Sequence, residues 1–398
     1  MFALVVSLKP LQSFIQVRYI FTMQPSFDII DIINLLGAVQ GIILAGAIFS
    51  IRKGHQIANR VLGIIVVICV ITIIDASLYR TRYIFSVLYL AELLPLFAFL
   101  LGPLLYWYSK SLASKTVLVF RKQWLHFLPF VLVFLYRLPF FLQSETVKIE
   151  YLKQLYEFYP AELFFLAGAV RLQILIYLIV SIKVLIQHAE KVKDLFSSLE
   201  DVSLLWLRNF LMIAAIFLLA SMIRLIFDYR METIELDPLL FSLLIYVMSF
   251  MGLYQPKIFS GDEKTEQSPK YAKSTLKPDI AEKQLAELFN AMETEKLFLQ
   301  KDITLQSLAD QLKMPAHHLS QIINEKLNKN FFDLINHYRV EEAGTLLKDA
   351  SYNHYSLEAI GNEAGFKAKS TFNTVFKKFT QMTPSEYRIK ACSEKRKA

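Results

Sequence analysis

The chain has 398 residues, of which 55% are apolar, 14% aromatic and only 20% charged, and it carries a net charge of +8. Counted with Gly in place of Tyr, the apolar share is still roughly 53%, above the 45–50% of ordinary soluble domains. With 12 Gly, 13 Pro and 2 Cys, the composition excludes collagen, a disulfide scaffold and a disordered chain. An apolar average with a basic balance points to two unlike parts, one in lipid and one facing an anionic partner.

Residues 1–22 are moderately apolar. They lack a positive stretch ahead of the apolar one and a small-residue cleavage site, so they do not read as a signal peptide. Residues 1–28 are read as an extracytoplasmic segment, with Met23 an alternative start that a peptide from residues 1–18 in the intact protein would exclude. Seven segments then reach the roughly 20 mostly apolar residues needed to cross a bilayer: 29–51, 61–79, 84–108, 124–142, 162–187, 203–227 and 236–255. Pro129, Arg137 and Pro139 interrupt the fourth, which neighbouring helices can tolerate. Trp107, Tyr108, Trp124 and Trp206 fit an interfacial aromatic belt.

Loop charge orients this bundle. The first, third and fifth connections hold Arg52, Lys53 and Arg60, then Lys110, Lys115, Arg121 and Lys122, then Lys191 and Lys193. The second, fourth and sixth hold fewer: Arg80 and Arg82, then Lys148 and Lys153, then Arg230. The richer odd loops are expected in the cytoplasm, with the N-terminus outside. Cys69 in the second span and Cys392 in the terminal tail occupy different phases, so no disulfide is expected, and neither has metal-ligand spacing around it.

Ionisable residues inside spans are costly. Asp75, Glu92, Arg137, Arg171, Arg224 and Asp228 all fall near or outside the midplane. They are read either as structural pairs and snorkelling side chains, with Arg224 and Asp228 four apart on one helix face, or as a polar ligand-sensing pocket. No convincing internal repeat of the transporter kind is present.

Residues 256–278 are polar, rich in turn and linker residues, and cannot bury a core. Beyond them, helical spacing of Leu285, Leu288, Phe289 and Met292, and of Leu305, Leu308, Ala309 and Leu312, predicts an all-α domain over 279–398. Helix-turn-helix patterns occupy 304–327 and 356–380, joined by a helix over 332–348. Ala309 and Gly361 supply the small residue needed where the two helices of each motif cross. In the first reader Leu319, Ile322 and Ile323 face the core, and His317, Ser320, Gln321 and Asn324 face outward. In the second Phe372, Val375, Phe376 and Phe379 pack, while Lys369, Thr371, Asn373 and Thr374 face outward with Lys377 and Lys378 behind. Lysines suit phosphates, whereas Asn, Gln, Ser and Thr can read base edges. From 357 to 398, Lys and Arg outnumber Asp and Glu roughly two to one, an electrostatic footprint for nucleic acid.

The run Arg339-Val-Glu-Glu-Ala343 with Leu346-Leu347, then Gly365-Phe366, Ser370, Phe372, Phe376-Lys377-Lys378 and Thr383-Pro384-Ser385-Glu386-Tyr387-Arg388, resembles the AraC/XylS-type DNA-binding domain. Thr383, Pro384 and Glu386 also make physical sense as a capping box with proline at the first helical position. The resemblance implies two readers on one chain that enter successive major grooves on one face of DNA. It implies base contacts by His317, Ser320 and Gln321, then Lys369, Thr371, Asn373 and Thr374. Three positions depart from the pattern: Pro315 stands at a helix cap, Gly361 replaces an Ala, and Gln381 replaces a Gly after the second reader. The whole chain is also similar in layout to a bacterial subgroup in which several spans precede this domain.

The expected protein is therefore all-α, a polytopic seven-span transmembrane bundle followed by a cytoplasmic double helix-turn-helix domain, in the bacterial inner membrane. Its expected partners are double-stranded promoter DNA, the lipid bilayer, a second copy when DNA-bound, RNA polymerase and an unidentified signal ligand. No phosphate loop, metal spacing or nucleophile elbow occurs in a suitable context, so neither enzymatic activity nor a cofactor is expected. A transporter with a regulatory appendage and a constitutive regulator with a passive anchor are the alternative readings.

Overall fold

The computed structural model describes residues 27–52, 55–113, 123–157, 160–199, 202–227, 236–254 and 278–395. Among these residues there is no strand, only an isolated antiparallel bridge between Phe196 and Thr304. The described residues form two compact units, one from within Met1–Leu185 and Trp206–Asp262, the other from within Ile186–Leu205 and Glu263–Ala398. The predicted linker, apart from Pro278, lies outside the described residues, as do residues 1–26, Asp228, Arg230 and the side chain of Cys392.

The first unit opens with α1 (Ile29–Ser50) and α2 (Gln56–Arg80). Asp28 caps α1 by accepting from Ile30 and Asp31 N–H, and Asp31 Oδ2 accepts from the Asp28 N–H in return. Arg80, in the last turn of α2, donates to Asp31 at 2.6 Å and pairs with Asp28, tying the start of one helix to the end of the other. Next come α3 (Ala98–Ala113), α4 (Leu128–Phe141), α5 (Glu145–Glu157), the 33-residue α6 (Ala161–Lys193), α7 (Leu205–Phe227) and α8 (Leu236–Tyr254).

Among the described residues, five helical stretches are long and apolar enough to cross a membrane: Ile29–Ser50, Gln56–Arg80, Trp124–Phe141, Ala161–Lys193 and Leu205–Phe227. The expected third and seventh spans are not among them. Over 84–108 the chain is not one helix: Tyr83–Ser86 and Leu94–Phe97 are 3-10 turns, and α-helix begins only at Ala98, with α3 running 16 residues to Ala113. Left-handed Arg82 and Glu92 interrupt the hydrogen-bond ladder there, and Pro95 withholds a backbone donor. In the seventh segment the apolar stretch is the shorter Asp237–Val247. The aromatic belt is also modified. Trp124 is 51% exposed, but Tyr108 is buried at 3%.

The apolar helices turn large side chains outward, among them Leu36, Ile43, Leu132, Ile179 and Ile216, each more than half exposed. A soluble fold places such residues in its core.

The second unit contains α9 (Pro278–Glu293), α10 (Leu305–Gln311), α11 (Ala316–Lys326), α12 (Phe331–Lys348), α13 (Leu357–Glu363), α14 (Lys369–Thr380) and α15 (Pro384–Lys395). It has two cores that α12 serves together. Phe331, Leu334 and Ile335 join the first with α9, α10 and α11, and Phe332, Val340, Ala343 and Leu347 join the second with α13 and α14.

An unexpected element completes this unit. The last residues of α6 and the connection to α7 belong to it, and Val192, Leu195, Phe196 and Val202 are buried in the first core. Leu199 packs against both cores. The backbone joins in as well: Leu305 N–H donates to the Leu195 carbonyl at 2.9 Å, and Ser197 Oγ donates to the Ile303 carbonyl at 2.7 Å. Asn336 Nδ2 donates to the Ser197 carbonyl at 3.2 Å. A segment flanked by two apolar helices is thus built into the helix-turn-helix unit.

Candidate nucleic-acid interface

The two helix-turn-helix motifs repeat one backbone design at a spacing of 52 residues. Thr304 and Ser356 cap the first helices, with Ser307 N–H donating to Thr304 Oγ1 and Ala359 N–H to Ser356 Oγ, both at 3.1 Å. Each turn closes with equivalent bonds: Met314 N–H donates to the Ala309 carbonyl at 3.0 Å, and Phe366 N–H to the Gly361 carbonyl at 2.9 Å. The turn needs one left-handed residue, Lys313 (φ 52°) in the first and Gly365 (φ 90°) in the second. Across the turn the spacing becomes 53, because buried Leu319, Ile322 and Ile323 of α11 match buried Phe372, Val375 and Phe376 of α14.

That register explains the Gly361 departure. A Cβ on Gly361 would lie 2.9 Å from Phe372 Cδ1 and 3.0 Å from Cγ, whereas the first motif carries Ala309 with the smaller Leu319 at the matching positions. Gly361→Ala is therefore expected to destabilise the unit by about 1–3 kcal/mol through overpacking, despite a helix-propensity gain of about 1 kcal/mol. Combining it with Phe372→Leu should recover part of the loss. Urea unfolding of both variants checks this, and additive losses would contradict it.

The other departures are visible too. Pro315 sits at the start of α11 with no side-chain cap, and His318 N–H donates instead to the Pro315 carbonyl at 3.0 Å. Gln381 ends α14 in the left-handed region at φ 61°, with its N–H on the Lys377 carbonyl. Gln381→Gly should relieve about 1 kcal/mol of strain and raise the melting temperature; a lower one would count against this. At α15, Thr383 N–H donates to Glu386 Oε2 at 2.7 Å and Glu386 N–H to Thr383 Oγ1 at 3.3 Å, the expected capping box.

On α14, Lys369, Thr374, Lys377 and Lys378 are exposed, and Thr371 and Asn373 are half-buried on the flank of the same outer surface. Lys378 Nζ bonds Asp333 Oδ1 at 2.7 Å, so it also braces α12. Lys369 lies 4.0 Å from Glu358. On α11, His317, Gln321 and Asn324 are half-buried, with Gln321 Nε2 donating to Glu325 at 3.0 Å. Ser320 differs from expectation: it is buried at 6%, because it follows the core residue Leu319 directly and lies on the inner edge of the helix. Its hydroxyl accepts from Asn324 Nδ2 at 3.4 Å, which fits a role in holding Asn324.

Two residues have roles that the sequence pattern does not assign. His318, on the outer edge beside His317 with ring centres 4.5 Å apart, has its imidazole pKa pushed down by burial and by that neighbour. Arg339, from the recognisable run on α12, is only 1% exposed. Its guanidinium donates to the Phe298 and Gln300 carbonyls, each at 2.8 Å, and reaches Ser197. Burial lowers its pKa to about 10, with Asp302 opposing. It fastens the unit together internally.

In the first unit the described ionisable residues make separate pairs, while Asp75, Glu92 and Arg171 line one cavity. Arg137 lies 3.6 Å from Glu92 and 2.9 Å from Glu162, ion pairs without well-aligned hydrogen bonds. Arg171 pairs with Asp237 at 2.5 Å and donates to Ser221 at 2.9 Å. Arg224 is half-buried, and its expected partner Asp228 lies outside the described residues. Asp75 has an unsatisfied buried Oδ1. The partners Glu162 and Asp237 have no signal in the sequence, since spacing gives no hint of pairs this far apart along the chain.

The helix-turn-helix domain family matches residues 308–390. An uncharacterized HTH-type transcriptional regulator of Staphylococcus aureus (strain COL) is 30% identical over 93 residues, covering 23% of this chain and 12% of that protein. The HTH-type transcriptional regulator AlkR of Acinetobacter baylyi is 26% identical over 102 residues, covering 26% of this chain and 32% of that protein. The chain thus spans about a third or less of the length of these relatives. No solved structure matches the chain. Its C-terminal segment is an AraC-type helix-turn-helix domain of the kind found in transcriptional regulators.

Proposed function

We propose that this chain is a membrane-tethered one-component transcription regulator that binds promoter DNA in a sequence-specific manner through both readers and responds to a signal received by its apolar bundle. The observation that carries this reading is the segment 194–204. It joins two helices long and apolar enough to cross a bilayer, yet Leu195, Phe196 and Val202 are core residues of the DNA-binding unit. A connection that shares a core with a DNA-binding domain must lie on the DNA side of the membrane. It is the fifth connection, with Lys191 and Lys193, which loop charge independently assigns to the cytoplasm. The outward apolar side chains of α1, α4, α6 and α7 support lipid contact.

Seven passes put the N-terminus outside and both the 194–204 segment and the C-terminal unit inside, with the third and seventh passes shorter than the rest. The bundle then has two covalent routes to the readers, the 256–278 linker and the α6–α7 connection. Its partners are double-stranded promoter DNA, the bilayer, a second copy on DNA, RNA polymerase and the signal ligand.

Fractionation tests the tethering. The native chain should stay in the membrane pellet through an alkaline carbonate wash, and protease should remove the C-terminal unit only from the cytoplasmic face. Recovery in the soluble fraction would contradict the proposal.

A further inference from the structure

The first unit contains a partly open cavity of about 360 Å³, within the range of pockets that hold small organic ligands. Its wall is built from α2, α3, α6, α7 and α8 and is almost wholly aliphatic and aromatic, with Leu62, Leu178 and Leu211 among the residues that line it. Four lining side chains carry charge: Asp75, Glu92, Arg171 and Asp237. Their pairing is unequal. Arg171 and Asp237 neutralise each other at 2.5 Å, and Glu92 has Arg137 at 3.6 Å and the Tyr151 hydroxyl at 3.4 Å. Asp75 has no cationic partner among the described residues, and its Oδ1 is buried without a hydrogen bond.

A carboxylate in such surroundings requires a partner, because an unpaired buried polar group is costly. The charges already present cannot supply one. Arg171 and Arg137 are both engaged, and Glu92 is close enough to Asp75 to repel it. The arrangement selects for a molecule with a positive hydrogen-bond donor at one end and an apolar body at the other. Asp75 lies in the last two turns of α2, and Arg171 and Asp237 lie toward the starts of α6 and α8. The polar end of the cavity is therefore the end remote from the α6–α7 connection along these helices.

We propose that this cavity is a binding site for an amphiphilic ammonium compound, its alkyl or aromatic body lying along Leu62, Leu178 and Leu211 and its ammonium group donating to the Asp75 carboxylate. Anionic and neutral amphiphiles of equal size are rejected, the first by repulsion from Asp75 and Glu92 and the second by leaving Asp75 unpaired. The same head chemistry occurs in free lipophilic amines and in aminophospholipids. This names the ligand class for the signal response proposed above and rests on that reading.

The test uses the full chain in phosphatidylcholine nanodiscs with radiolabelled dodecylamine, and empty discs as the baseline. A saturable component of one amine per chain is expected, displaced by unlabelled dodecylamine but not by equal dodecanoate or dodecanol. Asp75→Asn should weaken binding at least about tenfold, and Leu211→Trp, which fills the cavity and keeps the carboxylate, should weaken it too. Weaker amine binding in discs containing phosphatidylethanolamine would identify the lipid head as a competing occupant and support the site; unchanged binding there would identify a free amine and support it equally. Displacement by dodecanol or dodecanoate as effective as by the amine would overturn the proposal, as would Asp75→Asn binding within twofold of wild type. The competition arms use only the wild-type chain, so they decide the matter even if a variant fails to fold. No DNA is present in the assay, so its failure leaves the regulator reading to stand or fall on the fractionation.

Discussion

Phe196→Ala is expected to cost the DNA-binding unit about 3–5 kcal/mol, the usual loss for a buried phenylalanine. By sequence this residue sits between two membrane-length helices, well before the helix-turn-helix motifs. In the fold it is 9% exposed, packed in the core that also holds Leu308, Leu319 and Ile335, and its backbone pairs with Thr304. Domains are stable by only about 5–15 kcal/mol, so the loss removes a large share of what holds the readers in place. Hydrogen exchange at the amides of α10, α11 and α12 should accelerate and DNA affinity should fall. Ile186→Ala, in the same unit but 46% exposed, should change neither by more than about 0.5 kcal/mol. If Phe196→Ala left exchange in α10 to α12 at the wild-type rate, segment 194–204 would not be part of the working domain.

The second large effect concerns specificity. Asn373 and Thr374 lie on the outer surface of α14, opposite the buried Phe372, Val375 and Phe376. Replacing both with Ala should remove about 1–3 kcal/mol of discrimination for each base edge that is no longer hydrogen-bonded, confined to the half-site read by α14. Lys377 is exposed and forms no ion pair among the described residues, so Lys377→Ala should weaken binding to every sequence and reduce the salt slope by about 1. Lys378→Ala differs, because it also frees Asp333 on α12 and should lower stability as well as affinity. Equal sequence preference in wild type and the Asn373/Thr374 variant would remove these two residues from the reading surface.

Both motifs and their connecting helix are legible in the sequence because their signals are local: helical spacing of Leu305, Leu308 and Ala309, and small and turn residues at fixed offsets. The apolar helices are legible from length alone. Where the sequence misleads, the deciding interaction is distant. Leu195 and Phe196 fall in what the sequence shows only as the connection between the fifth and sixth spans, since nothing nearby shows that Leu305 will bond to the Leu195 carbonyl or Asn336 to that of Ser197. Arg339 is recognisable as part of a pattern, but its job, bonding the carbonyls of Phe298 and Gln300, depends on a turn far earlier in the chain. The break in 84–108 escapes a reading by apolar length, which ignores the left-handed backbone at Arg82 and Glu92. Ser320 reads as outward in the sequence but lies inward because a helical face has no sharp edge, and one residue after Leu319 is already half inside.

The two-reader account has a direct test in the binding of the full-length protein, reconstituted in nanodiscs, to a random double-stranded DNA library. It predicts enrichment of a bipartite sequence whose half-sites lie about one helical turn, 10–10.5 base pairs, apart, with the half assigned to α14 lost in the Asn373/Thr374 variant. Recovery of sequences no different from the input library would contradict it.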